Sequence, residues 1–381
     1  RLLACVLVIF TQVDYALAAA EWSKSSHIVS KILNETRSYR VLLPMDYDAS
    51  QDRTYPLLLL LDGQRYGDVV AGNARFLEGV GEIPEHIIVA VDSGNRMRDF
   101  TPTDSPHWEG DGGAKHFLNF LSKELLPAVD RDFRIKRPHV IWGHSLGGLF
   151  AFYALYAAPN LFDAHLVNDG TLDWDEKAPE SGLRDYLQNK SLPDKFLYFN
   201  SSYLMDVEDS ELRFFETLSK ELKLDAPPNL RWVYEPMPKE SHASIPLLGS
   251  IHGLRTLYDG YFIPESEMLE GLNAILKHYE AIKGRVGAPN KVPESVLNAF
   301  GYFRLGQDVS EALRAFELAT KHYPASANAW DSLSDGYLEA GRLEDALKAT
   351  EKSIEIAERE QDEILDYVNQ KKNEIQEKIK Q

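Results

Sequence analysis

The chain has 381 residues, 44% hydrophobic and 26% charged, which is the composition of a globular protein with material for two or three domains. Against 41 Lys and Arg stand 59 Asp and Glu, and the net charge of −18 argues against nucleic acid as a main partner. A single cysteine, Cys5, excludes disulfides within the chain, CxxC redox chemistry and cysteine-ligated zinc.

At the start, Arg1, the apolar run Leu2–Phe10 and Ala16-Leu17-Ala18 ahead of Ala19 form the pattern of a secretory signal peptide, residues 1–18. The apolar run is far short of the roughly 20 residues that span a bilayer. It also continues past Cys5 instead of ending there, which argues against lipidation of that cysteine. The expected mature protein is exported, periplasmic or secreted, with no stable membrane insertion once the signal is removed.

An α/β domain is expected over residues 19–285. Its buried strands read as unbroken apolar runs, each ended by turn residues: Pro56–Leu61 before Asp62-Gly63, Ile87–Val91 before Asp92, and Val140–Trp142 before Gly143. Phe196–Phe199 and Arg231–Tyr234 follow. Between them, Ala114–Asp130 and Leu212–Leu222 carry apolar residues at helical spacing. This alternation predicts a mostly parallel sheet with helices on both faces.

Residues 286–292 read as a linker, and beyond it strand signals vanish. Ala312 and Ala346 stand one 34-residue tetratricopeptide period apart. Phe303, Phe316, Ala319 and Pro324 in one unit, and Trp330, Leu333 and Tyr337 in the next, keep the repeat's offsets, whereas Thr350, Ser353 and Glu358 depart from them. Residues 293–381 thus resemble a short tetratricopeptide array. Because about three repeats are needed for stability, it is expected to lean on the α/β domain, a protein partner or a second copy.

The chemistry centres on Gly143-His144-Ser145-Leu146-Gly147-Gly148, directly after a strand and before the apolar helix Leu149–Ala158. Small neighbours let a serine occupy a strained strand-to-helix turn, the G-x-S-x-G nucleophile elbow. Ser145 is the expected nucleophile, with the amide of Leu146 as an oxyanion donor and a second donor from Gly63 or Gln64 after the third strand. A serine hydroxyl needs a base, and His242, in Glu240-Ser241-His242 after the last strand, fills that place. His252 is the rival, inside a helix expected over Ile251–Asp259, and His144 is a support residue of the elbow. The acid is expected after Phe196–Phe199: Asp206, with Glu208 and Asp209 as alternatives. No P-loop, dinucleotide, HExxH or EF-hand pattern occurs, so no cofactor and no metal is expected.

Leu61-Asp62-Gly63, Asn95–Pro102, Gly112-Gly113-Ala114 with Phe117, the elbow, Glu240-Ser241-His242 and Leu254–Gly260 together resemble the putative-esterase family of α/β hydrolases. That family includes enterobactin-esterase-like enzymes that cut siderophore trilactones. The resemblance covers residues 25–265 and implies hydrolysis of a small-molecule ester, with short-chain acyl esters the expected substrates. A siderophore trilactone or a carbohydrate acetyl or feruloyl ester is the alternative within this chemistry, and a partner-binding protein on a hydrolase platform the alternative of another class. The resemblance also implies that Arg96, Arg98 and Asp99 line or brace the pocket. Ser201–Asp209 has no match to the family's short acid turn.

Overall fold

The computed structural model describes residues 22, 25–44, 47, 53–106, 109–188, 193–202 and 209–380. The expected signal segment, 1–18, lies outside them. Eight strands form one mixed sheet: β1 (Ser26–Ser30), β2 (Glu35–Leu42), β3 (Tyr55–Leu60), β4 (Ile87–Val91), β5 (Ile135–His144), β6 (Ala164–Asn168), β7 (Lys195–Ser202) and β8 (Leu230–Met237), in the order β1-β2-β4-β3-β5-β6-β7-β8. The β1–β2 and β2–β4 pairs are antiparallel, and every pair from β4 through β3 and β5 to β8 is parallel. The predicted α/β class is therefore the observed one. β3 and β4 are buried along their whole length, as strands covered on both faces must be.

One face of the sheet is covered by α1 (Gly63–Gly79), through Tyr66, Val70 and Leu77. α7 (Ile245–Leu257) joins it there through Leu254 and Leu257. The other face carries α2 (Arg96–Phe100) and α3, which runs from Ala114–Phe120 through a π-helical turn at Leu121–Leu125 into Leu126–Asp132. α4 (Leu146–Ala157), α5 (Trp174–Leu187) and α6 (Asp209–Asp225) complete that layer, which packs around Phe100, Phe117, Phe120 and Phe150.

After α8 (Glu265–Leu269) and α9 (Leu272–Ile282), five helices close the chain: α10 (Glu294–Leu305), α11 (Val309–His322), α12 (Ala327–Glu339), α13 (Leu343–Glu360) and α14 (Leu365–Lys380). One apolar cluster joins Ile275, Tyr279 and Ile282 of α9 to Leu297 and Phe300 of α10 and Ala315 of α11. Residues on both sides of the expected linker, 286–292, share this cluster. Lys371 of α14 is buried against Asp331 and Asp335 of α12 at 2.5 and 2.8 Å, which ties the last helix to the bundle.

The chain enters this bundle at the end of the sheet where the parallel strands begin. Arg231, the second residue of β8, donates to the carbonyls of Thr256 and Leu257 at 2.8 and 2.6 Å and to that of Val286 at 3.3 Å. No helix among the described residues is long and apolar enough to cross a membrane.

Candidate active site

The described candidate residues gather at the opposite end, where parallel strands stop. β5 runs ten residues before delivering Ser145, about 30 Å from its start at 3.3 Å per residue. His144 at its tip is in register with Asn168 of β6, and Asn168 with Asn200 of β7. Ser145 and Asp169 therefore leave neighbouring strands side by side. Among the described residues six non-glycine residues have positive φ, and three of them are here: Asp62 (53°), Ser145 (59°) and Asp169 (42°). Strained backbone of this kind persists only where the surroundings enforce it, and it concentrates at functional sites.

Ser145 has φ 59° and ψ −124°, the sharp turn expected of a nucleophile elbow. It is fixed by its own amide donating to the Asn168 carbonyl at 3.1 Å and by its carbonyl accepting from Leu149 at 2.9 Å. The glycines are a steric requirement. A Cβ on Gly143 would lie 2.1 Å from the Gly147 carbonyl oxygen, and one on Gly148 would lie 2.8 Å from the Gly170 Cα. Leu146 is the first residue of α4, and Gly63 and Gln64 are the first two of α1, so none of their amides has an acceptor within its own helix. Gln64 also pins the loop after β4, its side chain accepting from the Ser93 amide at 3.0 Å and donating to the Ser93 hydroxyl at 2.8 Å.

His242 lies in the loop between β8 and α7, its side chain 47% exposed, with Nδ1 2.7 Å from Asp169 Oδ2. Asp169 also accepts from the Ser202 amide at 3.0 Å through Oδ1 and from the Ser202 hydroxyl at 2.6 Å through Oδ2. Burial works against ionisation of this carboxyl, but the hydrogen bonds from His242 and Ser202 outweigh it and hold its pKa below the ordinary aspartate value. The Asp169 amide donates to Asn200 Oδ1 at 2.8 Å, and Asn200 Nδ2 donates to Asn168 Oδ1 at 3.1 Å. Asn200 and Ser202, both of β7, are thus two of the residues that hold Asp169. Asp206 and Glu208 lie outside the described residues, and Asp209 opens α6.

The rival base, His252, is on α7 and pairs through Nδ1 with Glu235 Oε1 at 2.7 Å. Asp62 is buried and accepts from Arg96 Nε at 2.9 Å, and its other oxygen faces the position a Cβ on Gly147 would take, at 3.3 Å. Arg98 donates to Asp99 at 2.7 Å and Glu35 at 2.8 Å, and the buried Asp99 is also gripped by Arg37. These contacts make Arg98 and Asp99 braces between α2 and β2. Arg96 instead reaches the elbow through Asp62.

Among the described residues one trio could hold a metal, His144, Asp169 and His242, whose candidate ligand atoms lie within 4.8 Å of one another. His144 Nε2 is engaged by the His242 carbonyl, and His242 Nδ1 by Asp169.

Residues 30–174 match the family described as "Putative esterase". The resemblance read from the motifs is thus found in the part of the chain that holds the elbow and Asp169. The ferri-bacillibactin esterase BesA of Bacillus subtilis is 32% identical over 165 residues, 38% of this chain and 57% of that protein. The siderophore triacetylfusarinine C esterase of Aspergillus fumigatus is 34% identical over 178 residues, 40% of this chain and 57% of its own. The chain spans a little over half the length of these curated esterase relatives. An IroE-like serine hydrolase from Shewanella oneidensis superimposes with a TM-score of 0.71 at 28% identity, covering 80% of this chain and 100% of its own. An uncharacterised protein from Capnocytophaga ochracea superimposes with a TM-score of 0.62 at 20% identity over 92% of this chain, a likeness of fold.

Proposed function

We propose that the protein is a serine esterase in which Ser145 is the nucleophile, His242 the base and Asp169, in place of Asp206, the acid. The observation that carries this reading is the Asp169–His242 hydrogen bond beside a serine in elbow geometry. With Nδ1 donating to Asp169, the other ring nitrogen of His242 is the one that takes the Ser145 proton as Oγ attacks the ester carbonyl. Asp169 stabilises the imidazolium that forms. The amides of Leu146 and of Gly63 or Gln64 receive the developing oxyanion, His242 returns the proton to the departing alcohol, and water releases the acyl group by the same route.

A siderophore ester is the favoured bulky substrate, because both curated esterase relatives described above act on siderophores by name. Short-chain acyl esters are the simplest probes of the same chemistry. The helical bundle joins the sheet at the end remote from Ser145, which favours a role in contacting a protein partner or a second copy over one in roofing the pocket. Export follows from the signal-like residues 1–18. Hydrolysis of p-nitrophenyl esters from acetyl to decanoyl, by the mature protein and by Ser145→Ala, tests the reading. Serine-dependent turnover, falling on the order of 10⁴-fold or more in the variant, is expected. Equal turnover by both proteins overturns it.

A further inference from the structure

We infer that Tyr66 and His144 are positioning residues for the base: His144 holds the His242 main chain through the tautomer that the His242 carbonyl demands, and Tyr66 holds the His144 ring in place by donating to its other nitrogen. The inference rests on the assignment of Ser145 and His242 made above.

His144 Nε2 is 2.7 Å from the His242 carbonyl oxygen, and His144 Nδ1 is 2.8 Å from the Tyr66 hydroxyl. A carbonyl only accepts, so Nε2 carries a proton and donates it. The ring is buried, and burial, with His242 beside it, pushes its pKa down to about 3. A neutral ring protonated at Nε2 has a lone pair on Nδ1, so Tyr66 is the donor in the second bond. The direction of the whole chain, from Tyr66 through His144 to the His242 carbonyl, is thereby set. In the other tautomer, the Nε2 lone pair would face the carbonyl lone pairs and repel the loop.

Among the described residues, few other ties join the loop that carries His242 to the sheet. Its internal bonds join Ser241, Ser244 and Glu240 to one another. Its tethers at His242 itself are Asp169, on the ring, and His144, on the backbone. The imidazole rings of His144 and His242 also pack at 4.4 Å between centroids, tilted by 41°. Because His144 directly precedes Ser145, the strand tip that presents the nucleophile also grips the base. Tyr66 is in α1, the helix whose first amides are Gly63 and Gln64, so the same helix carries the second oxyanion donor. A neutral His144 is required for a further reason: a charged ring this close would repel the imidazolium that His242 becomes during turnover.

Three variants separate positioning from packing. His144→Leu removes the donor and keeps bulk. His144→Gln keeps an amide N–H near the Nε2 position, and Tyr66→Phe removes one hydroxyl. A base displaced by about 1 Å costs on the order of 10²-fold, so kcat of His144→Leu should fall by about that factor with KM changed less than about twofold. His144→Gln should recover to within about tenfold of wild type. Long-range 1H–15N spectra of the imidazoles should show His144 protonated at Nε2 alone in the wild type, and Tyr66→Phe should keep that tautomer while kcat falls. A proton on Nδ1 in the wild type overturns the inference, whatever the activity and whether or not the Leu variant folds. So does a kcat for Tyr66→Phe within 20% of wild type, or a loss confined to KM. Ser145→Ala separates the two levels: if it retains turnover, the esterase assignment fails, while the spectra still report on the Tyr66–His144 chain.

Discussion

Replacing Asp169 by asparagine should disable the base without disturbing the fold, and the contacts show why. The Ser202 amide, 3.0 Å from Oδ1, can only donate, so in the variant the amide oxygen must take the Oδ1 position. The NH2 group then occupies the Oδ2 position, against His242 Nδ1 and the Ser202 hydroxyl. The hydroxyl can rotate and accept. The imidazole can accommodate the NH2 only by presenting the Nδ1 lone pair, which moves its proton to Nε2, the nitrogen that must accept from Ser145. A base in the wrong tautomer costs about 10⁴-fold in the serine-protease triad, close to 5.5 kcal/mol at 1.36 kcal/mol per decade. A loss of 10³- to 10⁴-fold in kcat is expected for Asp169→Asn, with circular dichroism unchanged and KM within a few-fold. Asp206→Asn in the same p-nitrophenyl acetate assay should stay within about twofold of wild type. Wild-type-like turnover of Asp169→Asn beside a 10²-fold loss in Asp206→Asn would refute the reasoning.

Ser202→Ala removes the 2.6 Å hydroxyl bond to Asp169 but leaves the amide, and kcat should fall by about tenfold, as for loss of one charge-assisted hydrogen bond of about 1.5 kcal/mol. Gly143→Ala should abolish turnover and lower the melting temperature, since its Cβ would overlap the Gly147 carbonyl at 2.1 Å; an active, equally stable variant would contradict the elbow geometry. Stability should fall as the pH drops below about 6.5, because His165 is fully buried and burial depresses its pKa to about 3. The unfolded chain binds that proton from its ordinary pKa near 6.5 downward and the folded chain does not, so this stability is complete above pH 6.5 and is lost down to about pH 3. Urea unfolding of His165→Gln between pH 4 and 6 should show a slope smaller than wild type by about 1.4 kcal/mol per pH unit.

The elbow was legible in the sequence because its requirements are local: two glycines, a strand before and a helix after. The apolar runs Leu57–Leu60 and Ile87–Val91 were equally plain, being buried on both faces. β6 was not, and Asp169 went unseen with it. Ala164–Asn168 contains His165 and Asn168, which break an apolar run, yet both are buried. His165 Nδ1 bonds the Ala151 carbonyl at 2.8 Å, and Asn168 receives the Asn200 amide. A polar residue whose partner lies 14 or 32 positions away looks, in the sequence, like a loop residue. The same holds for Ser202, which reads as the tail of a strand and donates twice to the Asp169 carboxylate. β1 and β2 also escaped the reading of buried runs, because their alternating burial belongs to the antiparallel edge of the sheet. Arg98 and Asp99, expected to line or brace the pocket, pair with Glu35 and Arg37 of β2.

The central claim is that Ser145 is a nucleophile activated by its surroundings, and covalent labelling measures this without knowledge of the substrate. The purified protein is treated with a fluorophosphonate and analysed by intact mass and peptide mapping. One adduct, on the peptide containing Ser145, absent in Ser145→Ala and formed at least 10²-fold more slowly in Asp169→Asn, is the predicted result. Labelling of another residue, or none on a folded protein over hours, would contradict the account.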